Sequence, residues 1–221
     1  MSRVRGTFRR TTPIIALALL FSSGCIFSPE TGEIPPPPPI VIDSPEKVID
    51  ALSRSYQERS PELFQALLAN DADRNARYLF ILSEPTELGE TQWGWEEEVR
   101  VHKRMFRPES PDPGDQPVPP QFWLESVTIT LTAQANFTER TDLYTTNGGD
   151  LDPTIWRARD ARYNTNVFFG MAGETDFQVE GEANFVIIED LTKAEDDFNG
   201  KFLLYIWEDF QTPAKAEAEP A

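Results

Sequence analysis

Cysteine and histidine are nearly absent from this chain of 221 residues, occurring once each as Cys25 and His102. A single cysteine excludes an intrachain disulfide, and a single histidine excludes a multi-histidine metal centre. Basic residues are scarce, with 20 Lys and Arg against 37 Asp and Glu and a formal net charge of −17. Such a surface repels phosphate backbones, so no nucleic-acid partner is expected. The acids are scattered, and no calcium loop of the alternating-aspartate type is present. A long hydrophobic run is missing too. The apolar stretch Ile14 to Phe21 falls well short of the ~20 residues a bilayer-spanning helix needs.

That short run nevertheless has a telling context. Arg3, Arg5, Arg9 and Arg10 precede it with no acid nearby, and Ser22-Ser23-Gly24 leads from it directly into Cys25. The order of basic start, apolar run, small residues and cysteine resembles a bacterial lipoprotein signal, although Ser22 stands where such signals commonly carry leucine. The resemblance implies cleavage before Cys25 and lipidation of its thiol, a cell-envelope location, and a membrane partner through the lipid anchor. Ile26, which is not aspartate, favours the outer membrane. The competing reading is an ordinary secretory signal that leaves Cys25 as a free thiol. Removing residues 1–24 takes away four arginines and no acid, so the remainder carries 16 basic and 37 acidic residues. With that charge of −21, anionic lipid would not attract it, and lipid would have to do the anchoring.

Residues 25–42 hold five consecutive prolines, Pro35 to Pro39, and read as a polyproline II tether. The alternative, an SH3-type ligand, fits less well immediately after a lipidated cysteine. At the other end, residues 211–221 are rich in Ala, Glu and Pro and read as a tail without fixed structure.

Between tether and tail, residues 43–210 make one domain. Ser44-Pro45-Glu46 and Ser60-Pro61-Glu62 are two helix starts, with Ser as cap, Pro in the first turn and Glu at the positive dipole end. Val48, Leu52 and Tyr56 share a face of the first helix, and Leu63, Phe64, Leu67 and Leu68 follow in the second. Residues 77–83 predict the first strand. A third helix over 95–107 places Trp95, Val99, His102 and Phe106 on one stripe. Strict alternation from Val127 to Phe137 then predicts a half-buried strand. Further strands follow over 156–169, 177–188 and 201–210, the last apolar on both faces. Helices first and strands afterwards give an α+β domain with three N-terminal helices packed on a curved antiparallel sheet.

This order, with Trp93-Gly94-Trp95-Glu96-Glu97-Glu98 opening the third helix and Gly200 to Asp209 forming the last strand, resembles the NTF2-like (SnoaL-like) cone fold. The resemblance implies a conical pocket between sheet and helices. It does not select an activity, because such folds serve both enzymes and binding modules.

The candidate pocket residues are Trp95, His102, Tyr78 and Trp123. His102 is expected to be a core residue with one hydrogen bond; as an acid or base it would need a carboxylate or tyrosine from the sheet. Glu96, Glu97 and Glu98 read as a solvated face that complements the helix dipole. No catalytic residue is assigned and no metal or cofactor is expected. The leading functional expectation is a membrane-anchored, non-enzymatic module that binds a small apolar ligand or pairs as a homodimer. The alternative is an isomerase, cyclase or dehydratase of the SnoaL-like kind.

Overall fold

Two Ser-Pro-Glu segments start two helices, but they cap differently. The computed structural model describes residues 41–85, 89–109, 116–173, 175–194 and 196–211; Cys25, the proline run and the tail from Thr212 lie outside them. Helix α1 (Pro45–Gln57) receives no side-chain cap from Ser44, whereas in α2 (Pro61–Leu67) the Ser60 hydroxyl accepts the Leu63 N–H at 3.1 Å. Between them the chain turns through Arg59, whose φ of 47° lies in the left-handed region that favours glycine. The Ser60 N–H reaches back to the Ser55 carbonyl at 2.9 Å and the Arg59 N–H to Tyr56 at 3.0 Å, the paired bonds of a Schellman turn.

After α2, a two-residue pair, β1 (Asn70–Asp71) and β2 (Ala76–Arg77), forms a small hairpin that its sequence did not announce. Strands β3 (Leu79–Leu82) and β4 (Gln92–Gly94) then lead into α3 (Trp95–Phe106). The long strands are β5 (Leu124–Ala133), β7 (Trp156–Met171), β8 (Phe177–Asp190) and β9 (Phe202–Gln211), with the short β6 (Thr138–Glu139) beside β7. Three helices over a sheet of order β4-β3-β9-β8-β7-β5 make the α+β architecture expected.

Three expectations need correction. The sheet is mixed, because β3 runs parallel to β9, pairing Leu79 with Ile206 and Leu82 with Asp209. β3 therefore joins the last strand by a long crossover instead of extending the meander. The alternating strand stops at Ala133, short of Phe137. Gln134 still donates its N–H to the Arg162 carbonyl at 2.8 Å, but Ala133 and Ala135 are already exposed, and burial no longer holds the register. Finally, Gln211 still pairs with Gly181, so the last strand includes it.

A bulge in β9 shapes the interior. Val186 pairs with Ile206 and Ile187 with Leu204, which leaves Tyr205 as the extra residue. Phe202 and Leu204 face the helices before the bulge, and Trp207 does so after it. The main core lies between that face and the helices, around Leu52, Phe64, Tyr78, Phe185 and Trp207. A second cluster covers the opposite face, where Tyr144, Leu151, Ala69 and Ala76 pack on Trp156, Ala158, Val186, Ile188 and Ile206. This is why β9 is apolar on both sides. Arg74 closes the second cluster: its guanidinium lies 4.6 Å over the Trp156 ring and 2.9 Å from the buried Asp190 carboxylate.

Candidate functional site

The stripe of α3 delivers its polar side chains into the main core. His102 is 5% exposed, and its ring stacks on Phe64 at 3.6 Å with an interplanar angle of 12°. Phe106 meets it edge-on at 5.4 Å. The imidazole Nδ1 lies 3.0 Å from the Glu98 carbonyl, which can only accept, so Nδ1 carries the proton. Nε2 is then the acceptor in neutral histidine and accepts a hydrogen bond from the Tyr56 hydroxyl at 2.8 Å. Burial holds His102 down to about 4, against the hydrogen bond to the Glu98 carbonyl, which acts to raise it.

Glu98 corrects the expectation of three solvated glutamates. Glu96 is exposed and Glu97 pairs with Arg100 at 2.6 Å, but Glu98 is only 2% exposed. It lies four residues before His102, on the same inward side as Trp95, Val99 and Phe106, and that spacing was the available sequence signal. Burial pushes its carboxyl up to about 7, against hydrogen bonding from the Trp93 indole N–H. One of its oxygens lies 3.6 Å from His102 Nδ1. Two groups with mutually adverse burial shifts thus sit side by side, and both are neutral over the range between their pKa values.

The expected partner from the sheet is also corrected, since the tyrosine that meets His102 comes from α1. Tyr78 enters the same cluster beside Glu98. Burial pushes its phenol well above the usual tyrosine range, and its hydroxyl has no aligned hydrogen-bond partner. Burial pushes the Tyr56 phenol well above the usual tyrosine range, with the Glu98 and Asp209 carboxylates adding to it, and Asp209, half-buried on β9 past the bulge, is itself raised by burial. The structure therefore brings His102 and Tyr78 together through Glu98.

The remaining two candidates do different work. Trp95 starts α3 half-buried, with its indole N–H buried and unpartnered. Trp123 stands apart: its indole N–H is donated to the Val118 carbonyl at 2.8 Å, pinning the segment that returns to the sheet. Cys25 falls outside the described residues. Among those residues no group of three or more His, Cys, Asp and Glu is arranged to hold a metal ion.

Next to this sealed cluster lies an apolar groove of about 360 Å³. Val101 and Met105 of α3 form one wall, Phe122 and Leu124 a second, and Phe169 and Phe177 at the β7–β8 end a third. Phe169 and Phe177 stack at 4.6 Å. Val101 is 42% exposed and Phe122 and Phe177 are each 48% exposed, so their faces meet solvent. Sequence reading missed this groove because its walls come from four separated segments.

No family model and no curated protein matches the chain. Solved structures resemble it in shape. An NTF2-like superfamily protein from Salmonella enterica is 10% identical, with a TM-score of 0.44 over 79% of this chain and 93% of that one. A candidate dehydratase of the NTF2-like family from Streptomyces avermitilis is 10% identical, with a TM-score of 0.48 over 78% and 96%. The Kfla4162 protein from Kribbella flavida is 6% identical, with a TM-score of 0.44 over 76% and 87%. These are likenesses of shape, and no residue role is taken from them.

Proposed function

We propose that this protein is a lipid-anchored, non-catalytic module that binds a small apolar ligand at the bacterial envelope, most consistently at the outer membrane. One observation carries the binding half of this reading. His102 and Tyr56 are bonded to each other and walled in by Phe64 and Phe106, while the groove beside them is open and lined almost wholly by apolar side chains. A catalytic base must reach its substrate, and His102 cannot do so without opening the core. The groove is the kind of concave apolar surface that binds small molecules. The anchor half rests on the order of residues leading into Cys25.

The enzyme reading keeps one specific support. A buried carboxyl raised to about 7 beside an unpartnered tyrosine hydroxyl is a known arrangement for acid–base work on an apolar substrate. Uptake of a neutral fluorescent probe, N-phenyl-1-naphthylamine, separates the two. The binding module is expected to take it up saturably and one-to-one, to lose it in Phe122→Asp and to keep it in His102→Gln. Loss in His102→Gln with retention in Phe122→Asp would put the ligand inside the cone and favour the enzyme.

A further inference from the structure

We infer that the groove selects single-chain amphiphiles with an acidic head, a long-chain carboxylate being the simplest, and that Arg104 receives the head. The inference rests on the apolar-binding reading above and names the ligand class. The walls are almost wholly apolar, and among the described residues that line them the one charged side chain is Arg104. An arginine in such a lining contributes its methylene stem to the wall and keeps its guanidinium at the rim.

The neighbouring arginines on α3 and at its C-terminal cap are already engaged. Arg107 makes a bidentate pair with Glu62 at 2.6 and 2.7 Å, and Arg100 pairs with Glu97. Arg104 is exposed and forms no ion pair among the described residues. Arg59, which does not line the groove, is engaged as well, donating to the carbonyl of the wall residue Leu124. Of the described acids next to wall residues in the chain, Asp176 is occupied by the Met171 N–H at 3.0 Å, and Glu109 and Glu125 are exposed and do not line the groove.

The charge pattern gives the inference its force. On a chain with net charge −17, a general electrostatic attraction would favour cationic ligands. A groove whose only charged wall residue, among those described, is an arginine reverses that preference locally. The shape favours a chain over a surface: the site is a recess of about 360 Å³, which fits one flexible tail. A bilayer would demand a protruding apolar wedge.

Isothermal titration with laurate, dodecanol and dodecyltrimethylammonium, each below its micellar concentration, tests this on the wild type and on Arg104→Glu. Sedimentation and vesicle flotation are run on the same samples. The expected order for the wild type is laurate tightest. Arg104→Glu is expected to weaken laurate about tenfold, the loss of one charge-assisted contact, and to strengthen dodecyltrimethylammonium. Circular dichroism of the variant confirms that it is folded. Equal binding of all three probes, or an order that Arg104→Glu leaves unchanged, overturns the acidic-head inference while the apolar-binding reading stands. No uptake of any probe overturns both. A dimer or vesicle binding that Val101→Glu abolishes, with no probe uptake, would assign the groove to a second copy or to a bilayer and also overturn both.

Discussion

The Tyr56 hydroxyl and His102 Nε2 lie 2.8 Å apart, joining the first helix to the third through the middle of the core. Because Nδ1 is bonded to the Glu98 carbonyl, both nitrogens of a histidine that is barely exposed are satisfied. That bond is structural by position. Removing one partner strands the other in a place water does not reach.

Tyr56→Phe leaves His102 Nε2 without a donor and is expected to cost about 1–3 kcal/mol. His102→Ala loses packing against Phe64 as well and is expected to cost about 2–5 kcal/mol. The double variant Tyr56→Phe/His102→Phe should cost less than the sum of its single variants, because the stranded polar atom disappears. Urea unfolding of the wild type, Tyr56→Phe, His102→Phe and the double variant measures the coupling.

Glu98 and His102 shift in opposite directions, and their effects on stability offset each other. Glu98 is raised from 4.5 to about 7, so its contribution is full below 4.5 and is lost as pH rises through 7. His102 is lowered from 6.5 to about 4, so its contribution is full above 6.5 and is lost as pH falls through 4. Between 4.5 and 6.5 the folded pair is neutral and the unfolded pair carries both charges, so the number of bound protons is equal and the pair adds no slope. Relative to wild type, Glu98→Gln is expected to lose stability on acidification from pH 6.5 towards 4. His102→Phe is expected to lose it as pH rises from 4.5 to 7. Urea midpoints measured against pH check both signs. Asp209, Tyr56 and Tyr78 are common to all three proteins and drop out of the differences.

Arg59 occupies a left-handed turn position while its side chain reaches the Leu124 carbonyl. Glycine would relieve the backbone but lose the contact, and alanine would keep the strain and lose it too. Arg59→Ala is therefore expected to be less stable than Arg59→Gly by about 1 kcal/mol, read from paired thermal or urea unfolding curves.

Cys25→Ser is expected to move the protein from the membrane pellet to the soluble fraction, since an acidic domain has little attraction of its own for anionic lipid. A serine variant that still sediments with membranes would contradict the anchor.

Element types were legible because periodicity reports them directly. The stripe of Trp95, Val99, His102 and Phe106 located α3, and the alternation from Val127 located β5. Pairing was less legible: β3 lies parallel to β9 across more than a hundred intervening residues, and no local pattern carries that. His102 was readable as core. Its partners were harder to read. Glu98 was hidden by two solvated glutamates beside it, although its i, i+4 relation to His102 gave the signal. Tyr56 could not be paired with His102 before the helices were placed, and the groove exists only once four segments converge.

The chain has one histidine, so its imidazole gives a single, unambiguous set of nitrogen and carbon-bound proton signals, and these test the sealed-cluster account most directly. In a long-range proton–nitrogen spectrum, His102 is expected to appear as the neutral Nδ1–H tautomer. It should show no titration from pH 8 down to about 5, and its signals should not move when a groove ligand is added. A midpoint near 6.5, or signals that shift with ligand, would place His102 in an open, working site and contradict the account.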